Sequence, residues 1–335
     1  MLNNEQRRVA EKRPAVLQKG FHDVKKTEEE RIPTADEIKA VKGKGFLIDK
    51  TTGRHFNARV ITVNGRVSAE FLEKVAEAAR RFGNGKVAFT TRMTVEIQHI
   101  AYENIDAFLA FLADNGMEAG GTGPKVRPVV SCKGTTCHFG LIDTFALSEK
   151  IHNAFYKGYR EVVLPHKCKI AVGGCPNNCV KPDINDIGVV GRRVPMVDES
   201  LCRGCKACAM EKACPIGCAK LQNGKITRTA ECNGCGRCIG KCPFGVCTEG
   251  KVGYQLFLGG KWGKKTAVGR PISVLLETEE QVMNAVESAL LLFKSEGIAG
   301  ERFGDTISRV GFENAEKQIL DGSLLARKDE ILSGK

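Results

Sequence analysis

An α+β fold is predicted for this 335-residue chain, on three observations. Short strand patterns alternate with amphipathic helix patterns on both sides of a long gap. The gap itself, residues 197–249, has weak hydrophobic periodicity and is rich in Cys, Gly and Pro. Thirteen of the fifteen cysteines lie between Cys168 and Cys247, most of them inside the gap.

Residues 1–42 are charged, with EEER followed by a proline, and read as an N-terminal arm or short helices. Residues 43–122 alternate in type. FNARVITV (56–63) reads as a strand, and SAEFLEKVAEAARRFG (68–83) as an amphipathic helix closed by Gly83. KVAFTTRMTVEIQHI (86–100) reads as a long strand or hairpin, and NIDAFLAFLADNG (104–116) as a second helix. This order with short links predicts a small ferredoxin-like layer. Residues 123–196 add a strand (RPVVSC), a helix from about 141 to 156 and a strand (KIAVGG). Strand and helix patterns resume over 250–335, in YQLFLGG (254–260) and EQVMNAVESALLLFKSEG (280–297), with a C-terminal tail. The two flanks read as halves of one α/β module split by a smaller inserted domain.

Composition narrows the function classes. The chain is 42% hydrophobic and 27% charged, with no apolar run long enough to span a bilayer. Its first twenty residues lack an uninterrupted apolar stretch, so no signal peptide and a cytoplasmic location are expected. Fifteen cysteines without an export signal point to metal ligands rather than disulfides. A net charge of +12 calls for a polyanionic partner. Aromatic residues make up only 6%, and no nucleic-acid motif is present, which leaves a buried anionic cofactor or substrate as the better outlet.

Inside the insert, Cys202, Cys205 and Cys208 stand at two-residue gaps, followed by Cys214-Pro215. Cys232, Cys235 and Cys238 repeat the pattern, followed by Cys242-Pro243. In two-cluster ferredoxins the distant fourth cysteine ligates the other cluster. On that rule one [4Fe–4S] cluster takes Cys202, Cys205, Cys208 and Cys242. The other takes Cys232, Cys235, Cys238 and Cys214. Paired zinc sites are the alternative, but zinc leaves the third cysteine of each run without a role. Cys218 and Cys247 read as packing thiols. A repeat of this kind says that electrons pass through, not where they go.

A second constellation, Cys132-x4-Cys137 and Cys175-x3-Cys179, lies in SCKGTTCHFG and GGCPNNCVKPDINDIGVVG. By spacing alone a lone cubane or a zinc ion would satisfy it. These segments resemble the cysteine motifs of the sulfite and nitrite reductase family, which hold a [4Fe–4S] cluster joined to a sirohaem through one shared thiolate. LPHKCK (164–169) is similar to that family's strand with two lysines facing sulfite, and TTRMTVEIQ (90–98) to its arginine-bearing strand. DIGVVG (186–191) and YQLFLGG resemble two glycine-ended segments beside the macrocycle, here separated by the insert. That separation is typical of the dissimilatory and anaerobic sulfite reductase branch, and the resemblance covers roughly residues 45–310.

The resemblance implies an anaerobic, dissimilatory-type sulfite reductase subunit with one sirohaem and three [4Fe–4S] clusters, Cys179 being the shared ligand. Arg92, Lys167 and Lys169 are the implied anion-site residues. Arg59 is the only arginine on the strand that is arginine-rich in the family. Lys167 and Lys169, two apart on a strand, share a face, where fixed cations stabilise a departing oxide and deliver protons. Thr135, Thr136 and Asn177 read either as donors to the macrocycle's carboxylates or as caps of the cysteine turns. His138 reads as a packed neighbour of Cys137. Reduction of nitrite is the alternative within the class, and a non-catalytic electron carrier with a plain third cluster the alternative outside it. No GxGxxG fingerprint is present, so a separate ferredoxin-like or flavin-containing, NAD(P)H-oxidising subunit is the expected donor. The longer relatives duplicate this unit and hold sirohaem where two halves meet, so a homo-oligomer or hetero-complex is expected here.

Overall fold

The computed structural model describes residues 31–334. Most of the expected N-terminal arm therefore lies outside the described residues. Its end folds as helix α1 (Ala35–Lys42), where Thr34 and Glu37 form a reciprocal capping box and Val41 is buried.

The first layer is a four-stranded antiparallel sheet of β1 (Phe46–Ile48), β2 (His55–Val60), β3 (Val87–Phe89) and β4 (Val95–Ala101), in the order β1-β2-β4-β3. Helix α2 (Ala69–Phe82) starts on the Ser68 cap and buries Val75, Ala78, Ala79 and Phe82, one stripe at helical spacing. Helix α3 (Ile105–Asp114) adds Phe108, Phe111 and Leu112, and both helices share one core with Phe56, Ile97 and Ile100. The segment 86–100 resolves as a hairpin rather than one long strand.

The second layer is a five-stranded mixed sheet. Strands β5 (Val130–Ser131), β6 (Ile170–Gly173) and β7 (Ile187–Val197) run parallel. β10 (Cys247–Leu258) returns antiparallel to β7, and β11 (Arg270–Pro271) pairs at its edge. Helix α4 (Thr144–Ile151) crosses from β5 towards β6 and runs on into a π-helical segment, His152–Lys157. The long helix α6 (Glu279–Glu296) is buried along Val282, Val286, Ala289, Leu290 and Phe293. The C-terminal tail folds over it as helices α7 (Phe303–Val310), α8 (Phe312–Leu320), α9 (Ser323–Ala326) and α10 (Lys328–Ser333).

The Cys-rich insert leaves β7 and returns on β10. It holds a short helix α5 (Ala209–Ala213) and a hairpin, β8 (Ala219–Gln222) and β9 (Lys225–Arg228). Its small core is Met210, Ala219, Ile226, Val246 and Cys247. The two flanks thus form one sheet, as the alternating pattern predicted. Among the described residues, no helix is long and apolar enough to cross a membrane.

Candidate active site

Side chains of interest collect at the two ends of the parallel strands. Lys169 and Asp186 immediately precede β6 and β7, and Arg127 lies three residues before β5; Cys132 immediately follows β5, and Cys175 lies two residues beyond β6. Gly174 follows Lys169 by five positions, roughly 16 Å at strand rise. Basic side chains and cysteines therefore occupy opposite ends of the same layer.

At the basic end, Cys168 and Ile170 point into the core, both fully buried, so Lys167 and Lys169 turn to the other face. β6 begins only at Ile170, and a single bridge from Cys168 to Val126 keeps the lysine segment extended. Burial, then Arg92, Arg302 and Lys167, bring the Lys169 ammonium down to about 8. Lys167 is lowered chiefly by burial, then by Arg302 and Arg127.

Arg92 lies in the turn between β3 and β4, not on a strand as expected from TTRMTVEIQ; Met93, at φ 57°, closes that turn. Its guanidinium donates to Asn185 Oδ1 at 2.7 Å and to the Pro128 and Ile170 carbonyls at 2.5 and 3.0 Å. It thereby locks the first layer onto the strand mouth, and burial lowers it to about 10. Arg59, on β2, stands 3.6 Å from Glu96, so its charge is balanced within its own sheet.

Three charged residues that sequence reasoning missed complete this end. Arg127 donates to the Gly121 carbonyl, and burial, with Arg59 opposing its charge, lowers it to about 10. Arg302 reaches Asp186 with Nη2 at 2.8 Å to each oxygen. Asp186 is fully buried and also accepts the Lys169 N–H at 2.9 Å. Arg127 and Asp186 stood in the quoted RPVVSC and DIGVVG segments, where a charge abutting a buried strand was the available signal. Arg302 carried none. Arg92, Lys167, Lys169 and Arg302 thus converge on one buried carboxylate, with Arg127 near Arg302 and Lys167. The Nε atoms of Arg59, Arg92, Arg127 and Arg302 are all buried without a hydrogen-bond partner among the described residues. Excess buried positive charge with spare donors suits an anion.

At the other end, Cys132, Cys137, Cys175 and Cys179 come together. The Cys175 thiol is raised by burial and by the neighbouring Cys132, Cys179 and Cys137 sulfurs, with the Asn177 N–H opposing. Gly174 donates its N–H to Cys132 Sγ at 3.1 Å. A Cβ on Gly174 would stand 2.8 Å from Gly134 Cα, and one on Gly134 would stand 2.9 Å from Gly174 Cα, so the two cysteine loops cross where only glycine fits. Four free thiols on crossed loops, mutually repelling as thiolates, fit a cationic iron–sulfur group that relieves that repulsion. Cys179 is exposed, free to be shared with a second group.

Thr135 and Thr136 are spent on the turn. Thr135 donates to Asp143, the cap of α4, at 2.7 Å, and Thr136 to the Lys133 carbonyl at 3.2 Å. Asn177 is exposed beside Cys175. His138 is exposed rather than packed, its ring edge-on to Phe139 at 5.1 Å.

The insert abuts this cysteine end. A cleft of about 440 Å³ is lined by Cys175, Asn177 and His138 on one side and by Cys235 and Arg237 on the other. Arg193 bridges to Cys235, and Arg192 donates to the Asn233 carbonyl. Within the insert, Cys202 Sγ accepts the Ile226 N–H at 3.3 Å, and Cys214 Sγ accepts those of Cys218 and Ala219 at 3.2 and 3.5 Å. Such donors favour thiolate. Cys202, Cys208, Cys214, Cys238 and Cys242 pack against the insert's core, while Cys205 is exposed. Cys218 and Cys247 are buried, as packing thiols should be. Among the described residues, no three Cys, His, Asp or Glu side chains stand close enough to hold a single metal ion.

Known proteins resemble this chain in sequence and fold. Residues 122–324 match the nitrite and sulphite reductase 4Fe-4S domain, and residues 48–115 the nitrite/sulfite reductase ferredoxin-like half domain. The coenzyme F420-dependent sulfite reductase of Methanocaldococcus jannaschii is 31% identical over 272 residues, 80% of this chain. This chain spans 42% of that relative's length. A subunit of the anaerobic sulfite reductase of Salmonella typhimurium is 28% identical over 311 residues, covering 86% of this chain and 89% of the relative. The crystal structure of dissimilatory sulfite reductase I superposes with a TM-score of 0.64 at 21% identity, over 80% of this chain and 69% of the other, and shows the same fold. Two layers, a cysteine quartet at one strand end and a family match across most of the chain lead to one assignment: this protein belongs to the nitrite and sulphite reductase 4Fe-4S family.

Proposed function

We propose that the chain is the catalytic subunit of an anaerobic, dissimilatory-type sulfite reductase, reducing sulfite to sulfide with six electrons. The observation that carries this reading is the basic strand mouth, where Arg92, Lys167, Lys169 and Arg302 converge on the Asp186 carboxylate and Arg127 adds a further charge beside them. Cys132, Cys137, Cys175 and Cys179 would hold a [4Fe–4S] cluster, with Cys179 shared with a sirohaem iron. Cys202, Cys205, Cys208 and Cys242 would hold a second cluster in the insert, and Cys214, Cys232, Cys235 and Cys238 a third. When bound, these groups supply the electrons.

The chain's own residues do the acid–base and electrostatic work. Lys167 and Lys169 face the anion together and can give protons to a departing oxygen; a lysine near 8 does so more readily than an ordinary one. Arg127 supplies a fixed planar donor for the same oxygens, while Arg92, bound to Asn185 and two carbonyls, keeps the first layer seated against the mouth. Electrons would come from a separate donor protein through the insert, whose Cys235 shares a cleft with Cys175.

Anaerobically purified protein should contain about twelve cluster irons and one haem iron, and show red-shifted porphyrin-type bands. It should oxidise a reduced dye when sulfite is added, and less rapidly with nitrite. Bound zinc in place of iron, or about four irons with no porphyrin, would refute the reading.

A further inference from the structure

Asn185 and Asp186, consecutive at the mouth of β7, each hold an arginine brought from elsewhere in the chain. Asn185 takes Arg92 from the first layer. Asp186 takes Arg302, the residue that opens α7, through both oxygens at 2.8 Å. The same carboxylate accepts the Lys169 N–H at 2.9 Å, and the Asp186 carbonyl accepts the Gly259 N–H at 2.9 Å. One buried group therefore ties Arg302 to the backbone that presents Lys167 and Lys169.

A purely structural pair would be balanced, one charge against one. Here Asp186 answers to Arg302, Lys169 and Arg92 at once, so Arg302 is not neutralised by its partner. Its charge is felt at Lys167, Lys169, Arg127 and His166. Both bonds to Asp186 come from Nη2, and the buried Nε has no partner among the described residues.

We propose that Arg302 is a further anion-binding residue of this site and that Asp186 is the positioning residue that aims it and holds Lys169 beside it. The proposal rests on the sulfite-reductase reading and adds to it a cation contributed from the C-terminal part of the chain.

The test uses the holoprotein, Arg302→Gln, and the double variant Arg302→Gln/Asp186→Asn. Visible-band titrations give the dissociation constants of sulfite and of carbon monoxide, an uncharged ligand, with iron content and thermal unfolding measured alongside. Removing a charged donor should weaken sulfite binding roughly ten- to hundred-fold in both variants, and leave carbon monoxide within about twofold. Arg302→Gln alone strands a buried carboxylate and is destabilising; the double variant removes both charges, so the measurement survives if the single variant does not fold. Unchanged sulfite affinity in the double variant overturns the proposal. Parallel loss of both ligands also overturns it, because the pair is then structural. A wild-type protein with no sulfite-dependent band shift removes the sulfite-reductase reading itself, and the proposal with it.

Discussion

Lys169 is the most finely tuned side chain at the strand mouth. Most lysines stay charged well past neutrality, but this one gives up its proton near pH 8, where burial and the surrounding cations have brought it. Below that pH it carries the charge an anion needs; above it the attraction is lost. The sulfite dissociation constant should therefore rise as pH passes 8 in the wild type and stay nearly flat in Lys169→Arg, measured by titration between about pH 7 and 9.5. The empty protein should show the opposite linkage. The folded state binds this proton less tightly than the unfolded chain, so stability gains from Lys169 as pH rises from 8 towards the unperturbed 10.5. Lys167→Ala or Lys169→Ala should lower sulfite turnover by about 10²–10³ while iron and haem contents stay close to wild type. Full activity in both variants would make these lysines structural.

Among the elements, the crossing of the two cysteine loops is the most exacting. Gly174→Ala puts a methyl group 2.8 Å from Gly134 Cα and 3.2 Å from Thr144 Cγ2, neither of which can yield cheaply. The variant should fold but lose the quartet's irons, read as a drop of about four irons and the loss of the porphyrin bands. Cys179→Ser should lose the haem bands, whereas Cys202→Ser should keep them and fail only with a natural protein donor, remaining active with a small reduced dye. Haem loss in Cys202→Ser would place the insert within the catalytic core rather than upstream of it. These elements were legible because their signals are local. The stripe Val75, Ala78, Ala79 and Phe82 is a helix period, and the cysteine runs are a spacing. Arg302 was not legible, because it reaches Asp186 across 116 residues, where Gly304 at the start of α7 crosses Gly259 just beyond β10. Thr135 takes the turn-capping one of its two readings, donating to Asp143 at the start of α4, a partner eight residues on.

At the scale of the molecule, the separation of lysines from cysteines is decisive. On the proposed function, a cofactor held at Cys179 would sit at the cysteine end of β6, away from Lys169, so one copy of this fold would present the two ends to different surroundings. A symmetric dimer in which each chain's basic mouth faces its partner's quartet would complete two sites at once. Complementation tests this. Lys169→Ala and Cys179→Ser chains, each inactive alone, should regain activity when unfolded, mixed and reassembled, since random pairing leaves roughly a quarter of the sites intact. No recovery, with a compact monomer in sedimentation, would mean that one chain encloses its own site.

The pairing of Val197 with Cys247, where the insert departs from β7 and rejoins β10, has an evolutionary reading. Its two ends are held one strand spacing apart, close to 5 Å, so the intervening residues form a cassette that the sheet need not notice. Asp198 still hydrogen-bonds Val246 beyond that pair, which continues the hairpin into the cassette's neck. A lineage could acquire or shed such a cassette by a single recombination at a hairpin tip, without redesigning the sheet. Closing the neck with an Asn-Gly turn would join β7 and β10 as a plain hairpin, and on the proposed function the protein should stay folded and loaded at the quartet while losing activity with its natural donor.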